Sequence, residues 1–402
     1  MSLTLLLDLD GTLLVNHMHE FLPAYLQAFA DLMSDTMPAD RFIGALMAGT
    51  DRMMANRRPD CTLREIFEET FYPAAHIDRA SFEPLAEHFY RQVFPGLRSV
   101  TRPRPATQPL IEHAIARGYN LVLATDPAFP LTAIEQRLEW AGIPTNKYPF
   151  KLIPSYERMH FTKSETAYYA ELLAQAGWPE GPVIMVGDNL ERDIIPAQRM
   201  GLPAFWVSPQ GELPQGGPPL GGGELDDLLG WVDSLPPEQL LPDYSVPSAI
   251  LATLRATPAA LDHLCRDLPA ACWSFHPAEG EWCLNEIVCH LRDVESQVNL
   301  PRLHKVLLEV NPFMPGMDTD AWAAERNYHD QDGPQALHSF TAARLEILDT
   351  LESLPVEAWQ RVARHAIFGP TSLIELVGFT AGHDRMHLQQ IQSTLKSINS
   401  AA

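Results

Sequence analysis

The sequence predicts an α/β protein built on a doubly wound parallel sheet with an inserted helical cap, followed by an all-α helix bundle. Three observations predict this. Four short, nearly continuous apolar runs end in polar groups. Helical patterns lie between those runs. Past about residue 246 the strand-like runs stop, and nine of the fifteen histidines and four of the five cysteines are found there.

The strand readings are LTLLLDLD (3–10), NLVLATD (120–126), PVIMVGD (182–188) and PAFWVS (203–208). A parallel strand covered on both faces shows an unbroken apolar run rather than alternation. TQPLIEHAIARG (107–118) and ETAYYAELLAQAG (165–177) carry apolar residues at helical spacing and end at Gly118 and Gly177, residues suited to closing a helix. This alternation implies βαβ units. Residues 15 to about 100 interrupt it. There EFLPAYLQAFADLM (20–33) presents Phe21, Tyr25, Leu26, Phe29 and Leu32 on one helical face. The insertion is too long for a simple crossover and reads as a cap over the carboxyl edge of the sheet, where such folds bind ligands.

PQGELPQGGPPLGGG (209–223) reads as a loop and ELDDLLGWVDSL (224–235) as one closing helix. The proline-rich stretch that follows reads as a linker. The expected domains are 1–236, a linker at 237–247, and a helical domain at 248–402.

The net charge of −22 over 402 residues argues against a nucleic-acid or anionic-membrane surface. No stretch approaches the ~18 apolar residues of a membrane span. The start, MSLTLLLD, lacks the basic region and long apolar run of an export signal. The five cysteines form no CxxC pair, so reduced thiols and a cytoplasmic location are the expectation.

LLLDLDGTLL (5–14) places Asp8 and Asp10 at the end of the first strand. Asp-Gly between apolar residues is a hairpin signal. A hairpin needs a strand immediately after Gly11, but VNHMHEFLPAYLQAF is helical in pattern. The other reading is chemical: acids at i and i+2 leave a strand on the same side. Thr125, Asp126 and Asp188 end neighbouring runs, so these groups can meet at one sheet edge.

DLDGT (8–12), LVLAT ending at Thr125, Lys163 in FTKSETAYYAELL and GDNLERD (187–193) occur in that order. This set resembles the haloacid dehalogenase-like (HAD) hydrolases with a helical cap after the first motif, over most of 1–236. The resemblance implies that Asp8 is the nucleophile and that Asp10 acts as general acid, then general base. It implies that Thr125 binds a phosphoryl oxygen and that Lys163 neutralises charge. Asp8, the Asp10 backbone carbonyl, Asp188 and Asp193 would hold Mg²⁺. The dehalogenase branch lacks an acid at the position of Asp10, so its presence favours phosphoester hydrolysis. Ser164 stands where the family usually has proline, and Asp126 where it has Asn or Gly. The second departure adds a carboxylate at the rim of the site.

In AGHDRMHLQQIQSTL (381–395), His383 and His387 lie at i and i+4 on one helix face, a spacing that suits two ligands of one metal. His290 lies in EWCLNEIVCHLRDVE, with Cys289 about 100° away around the helix. Trp273 and Trp282 read as packing residues. GEWCLNEIVCHLRDVE (280–295) and GHDRMHLQQI (382–391) resemble the DinB-like four-helix bundles, over about 248–396. That resemblance implies a metal site at His290, His383 and His387, for Zn²⁺ or Ni²⁺.

The leading expectation is therefore a Mg²⁺-dependent phosphatase acting on a small phosphorylated metabolite, fused to a three-histidine metal-binding bundle. The alternative puts the main catalysis in the bundle, as a thiol- or amide-directed metalloenzyme, with the first domain in a regulatory or ligand-binding role. No nucleic acid or membrane partner is expected, and the sequence leaves a homodimer open.

Overall fold

A computed structural model describes residues 2–401 and divides them into two compact units. The first gathers the chain up to Leu172 with Pro179–Tyr244. The second gathers Leu173–Trp178 with the chain from Ser245 onward.

The first unit opens with β1 (Thr4–Leu7), which is buried throughout. The short β2 (Leu14–Val15) follows and pairs antiparallel with β3 (Arg102–Pro103). This ribbon joins the entrance and exit of the cap. It corrects the helical reading of Val15, because the first helix begins only at Met18. The cap holds α1 (Met18–Met33), α2 (Ala39–Met54), α3 (Leu63–Ala75) and α4 (Arg79–His88), then turns through Phe89–Val100. Phe21, Tyr25, Phe29 and Met33 of α1 are buried, whereas Leu26 and Leu32 are half-buried. The α3 start is written in TLRE: the Thr62 hydroxyl caps the Glu65 amide, and Glu65 returns the bond to the Thr62 amide.

After the cap the alternation resumes with α5 (Thr107–Ala116), β4 (Asn120–Leu123), α6 (Leu131–Trp140), α7 (Thr166–Gln175) and β5 (Val183–Gly187). Then come α8 (Ile195–Arg199), β6 (Ala204–Val207), β7 (Leu220–Gly223) and α9 (Leu228–Ser234). Among the described residues the sheet order is β4-β1-β5-β6-β7, with every pairing parallel. Strand β7 lies in the stretch read as a loop. LGGG has almost no side chains to reveal a strand pattern. Its strand character comes from pairing with β6. A Cβ on Gly221 would collide with the Trp231 indole, so the sequence that hides the strand also lets the closing helix pack on it.

The second unit is a four-helix bundle. Its long helices are α10 (Pro247–Cys265), α12 (Leu284–Val294), α15 (Gly333–Glu352) and α16 (Leu373–Ala401). The short α11 (Ala270–Trp273), α13 (Leu300–Leu308) and α14 (Trp322–Glu325) complete it; α12 runs into α13 through the π turn Glu295–Asn299. The expectation of helices alone needs one correction. β8 (Phe313–Met314), β9 (Val362–His365) and β10 (Gly369–Ser372) form a small sheet, ordered β10-β9-β8. VARH does alternate, but its inward residues are Ala363 and His365, too weakly apolar to read as a strand.

Arg344 of α15 is fully buried in this bundle. It pairs with Glu295 of the π turn and Asp384 of α16, and donates to the Leu254 carbonyl of α10 at 3.0 Å. Thr257 Oγ1 adds a 2.8 Å bond to Asp384. No helix among the described residues is long and apolar enough to cross a membrane. Arg344→Met should destabilise the protein by about 3–5 kcal/mol in urea unfolding, because two buried carboxylates lose their cation.

Candidate active site and metal centres

Parallel register assembles the first site. Leu7 stands opposite Leu123 on one side, while Leu6 and Leu7 pair with Met185 and Val186 on the other. The next residues of all three strands therefore leave at one edge. Asp8, Asp10, Thr125, Lys163, Asp188 and Asp193 line a single cavity there. Gly11 makes the turn after Asp10 at φ +85°, and a Cβ on it would overlap the Asp188 carboxylate. The DLDGT glycine thus serves both the turn and the approach of a second strand's acid.

Lys163 Nζ lies 2.6 Å from Asp8 Oδ1 and also contacts the Asp193 carboxylate. Asp193 comes from the turn Leu190–Ile194 and accepts a 2.9 Å bond from the Asn189 amide. Asp8, Asp188 and Asp193 each offer an oxygen within 4.8 Å of the others. Burial pushes the Asp8 carboxyl up to about 7, Lys163 pulls it back, and Asp193 adds to the rise. Burial and then the Asp8 charge raise Asp188 to about 6. Burial also raises Asp193. Burial works against the Lys163 charge, but Asp193 and Asp8 outweigh it and hold the ammonium charged. Asp8 Oδ2 is buried and has no hydrogen-bond partner among the described residues. Oxygen-only donors of one sign fit a hard divalent cation such as Mg²⁺.

The Asp10 carboxylate lines the same cavity but has partners of its own. Its Oδ2 pairs with Arg137 at 2.6 Å and its Oδ1 accepts from Asn16 at 2.8 Å. Arg137 is 1% exposed and lies over the Phe129 ring at 4.7 Å. Sequence reasoning missed it, although a signal exists: Arg137 sits on the buried face of α6 with Ala133, Ile134 and Leu138. A charge in an apolar stripe needs a partner. Arg104 was missed too; it lines the cavity and donates to the Gly11 carbonyl at 2.5 Å. Asp126, expected to add negative charge at the rim, is instead paired with Arg192. The cavity has a volume of about 820 Å³, and cap residues including Leu26, Phe29, Met47, Phe67 and Tyr90 form its far walls. His17 and His19 also line it.

The second site is in the bundle. His383 Nε2 lies 3.1 Å from His290 Nε2 and 3.0 Å from His387 Nε2. The Gln390 side-chain oxygen, 2.9 Å from His387 Nδ1, accepts its proton and leaves Nε2 as a bare lone pair. Burial holds His290 and His383 down to about 3, with the neighbouring imidazoles adding to the shift, and burial lowers His387. Three neutral ring nitrogens aimed at one point fit a transition metal. Cys289 turns aside to Gln331, at 3.7 Å. Trp273 is buried. Trp282 does more than pack, since its ring lies 5.0 Å from His290 and 6.1 Å from His387.

Residues 3–201 match the family model of the haloacid dehalogenase-like hydrolases, and residues 253–391 match that of the DinB superfamily. No curated protein matches the chain significantly. Among solved structures, an HAD phosphatase from Thermococcus onnurineus is 19% identical over 58% of this chain and 98% of its own, with a TM-score of 0.39. A 2-haloacid dehalogenase from Pseudomonas syringae pv. Tomato DC3000 is 21% identical over 58% of this chain and 99% of its own, with a TM-score of 0.42. YfiT from Bacillus subtilis is described as a probable metal-dependent hydrolase with an unusual four-helix bundle topology. It is 18% identical over 37% of this chain and 86% of its own, with a TM-score of 0.35.

The raised carboxyls give the acidic site a pH signature. Asp8 and Asp188, near 7 and 6, take up protons as the pH falls, and protons compete with a cation. Mg²⁺ affinity measured by calorimetry should therefore fall on going from pH 8 to pH 5.5, by up to about tenfold per pH unit for each proton displaced. An affinity that is flat over this range would contradict the assignment of these oxygens to the cation.

Proposed function

From a chain that joins a haloacid dehalogenase-like hydrolase domain to a DinB superfamily domain, we propose a Mg²⁺-dependent phosphatase acting through an aspartyl-phosphate on Asp8. The observation that carries this reading is the division of labour on Asp8. One oxygen is held by Lys163 at 2.6 Å, and the other is buried in the cavity without a hydrogen-bond partner among the described residues.

In this mechanism the substrate phosphoryl group sits against Asp8, with Thr125 donating to one of its oxygens. Asp8 Oδ2 attacks phosphorus, and the bond from phosphorus to the ester oxygen breaks. Asp10, which must enter this step protonated, gives its proton to that leaving oxygen. Asp10 then takes a proton from the water that attacks phosphorus, releasing phosphate and regenerating Asp8. Arg137 and Asn16 orient the Asp10 carboxylate. Lys163 offsets negative charge on Asp8 and the phosphoryl group. Asp8, Asp188 and Asp193 would hold the cation together with the Asp10 backbone carbonyl. Bound Mg²⁺ supplies charge stabilisation to the phosphoryl oxygens.

The cavity supports a substrate class as well. Cationic Arg104 and Lys163 lie toward the floor, and aromatic and aliphatic side chains wall the far end. A phosphate monoester with an apolar body of modest size fits that gradient. The three-histidine centre supports the second reading, a thiol- or amide-directed metalloenzyme with Zn²⁺ or Ni²⁺ at His290, His383 and His387. What favours it is a cavity of about 230 Å³ that reaches His383.

Phosphate release from a panel of monoesters with Mg²⁺ should fall about a thousandfold or more in Asp8→Asn. Full activity in that variant would end the mechanism. Across the panel, esters with apolar bodies should exceed polar sugar phosphates in kcat/KM by about tenfold or more. Loss of hydrolysis in His383→Ala, with Asp8→Asn unaffected, would move the chemistry to the bundle.

A further inference from the structure

Beyond both sites, the second unit carries another group of metal-ligand side chains. His276, Cys283, Glu286 and His329 each offer one ligand atom within 4.8 Å of the others. We propose that these four residues form a separate four-coordinate site for a zinc-type ion, which clips the loop before α12 to the turn carrying His329.

The distances suit such an ion. His276 Nε2 lies 3.1 Å from His329 Nδ1, and His329 Nδ1 lies 3.7 Å from Cys283 Sγ. In a tetrahedral shell with bonds of about 2.0–2.3 Å, neighbouring ligand atoms sit about 3.3–3.8 Å apart. The protonation pattern suits it too. His276 Nδ1 is 2.8 Å from the Glu281 carbonyl, which can only accept. The proton is therefore on Nδ1, and Nε2 presents a lone pair to the cluster. A ring N–H anchored on a backbone carbonyl is the usual support of a ligating imidazole.

The sulfur is placed by the helix. Cys283 is the N-cap residue of α12, its Sγ accepts from the Glu286 amide, and it is buried. Burial pushes the Cys283 thiol up to about 11 and the backbone N–H groups only partly pull it back, so an ion binding there would displace the thiol proton. Glu286 Oε2 caps the Cys283 amide at 2.8 Å, so the carboxylate is already fixed beside the sulfur. On the opposite side, Asn327 turns the chain with φ +53°, and Asn285 Nδ2 holds the His329 carbonyl at 2.9 Å. The cluster is thus gathered before any ion arrives. One thiolate, two imidazoles and one carboxylate select Zn²⁺ or Co²⁺ over Mg²⁺. Four protein ligands leave no open position, so the role is structural. Cys283 and His329 are 46 positions apart, and an ion joining them closes a long loop of the chain.

The test uses full-length, metal-free protein with excess Mg²⁺ and Co²⁺ as the probe. Co²⁺ should raise a near-ultraviolet thiolate-to-cobalt charge-transfer band. The band should be lost in Cys283→Ser, weakened in apparent affinity by at least about tenfold in His329→Ala, and retained in His383→Ala and Cys272→Ser. Circular dichroism checks that each variant is folded, and His276→Ala serves in place of any that is not. A saturated protein without the band, or a band that survives Cys283→Ser, would overturn the proposal. In that case the four side chains are only a hydrogen-bonded histidine pair over a capping cysteine.

Discussion

The buried ammonium of Lys163 lies between Asp8 and Asp193 at the carboxyl edge of a sheet whose strands are apolar on both faces. Three carboxylates share that edge. At about 4 Å each like-charged pair repels by about 1 kcal/mol in water and about 4 kcal/mol at the effective dielectric of a protein surface. One lysine cannot balance three acids. The residual imbalance is visible in the raised Asp8, Asp188 and Asp193 carboxyls. A divalent cation would offset it. The strand order, the Gly11 turn and the turn carrying Asp193 all serve to hold this unfavourable charge in place.

The same constraint is met differently a few ångströms away. Asp10 has its own cation, Arg137, and a neutral donor, Asn16. Asp10 thereby has a balance of its own, apart from that of Asp8, Asp188 and Asp193. Asp126 is removed from the balance by Arg192. In a chain with net charge −22, the cavity is thus lined by the cations Arg104, Arg137, Lys163 and Arg192 beside the five acids Asp8, Asp10, Asp126, Asp188 and Asp193.

The bundle uses two further solutions. Arg344 neutralises two buried acids and ties α10, the π turn and α16 to α15. The histidine centre avoids charge altogether. Its imidazoles are held neutral by burial and by one another, which is the protonation state a metal ligand requires. His290 and His387 lie against the Trp282 ring.

Local signals in the sequence determined the fold class and where chemistry concentrates. Unbroken apolar runs declare strands buried on both faces, and DLDGT, Thr125, Lys163 and GDNLERD mark the ends that line the cavity. The i,i+4 spacing of His383 and His387 is likewise local. Pairings between distant segments were decided only by the tertiary structure. Arg137 meets Asp10 across 127 positions, and His276 meets His329 across 53. Strand β7 has too few side chains to signal itself, and β9 has too small an apolar face. Its identity as a strand, like the state of a buried charge, depends on what lies beside it in space. No window of neighbouring residues contains that information, because the partner that satisfies a hydrogen bond or a charge is chosen by packing.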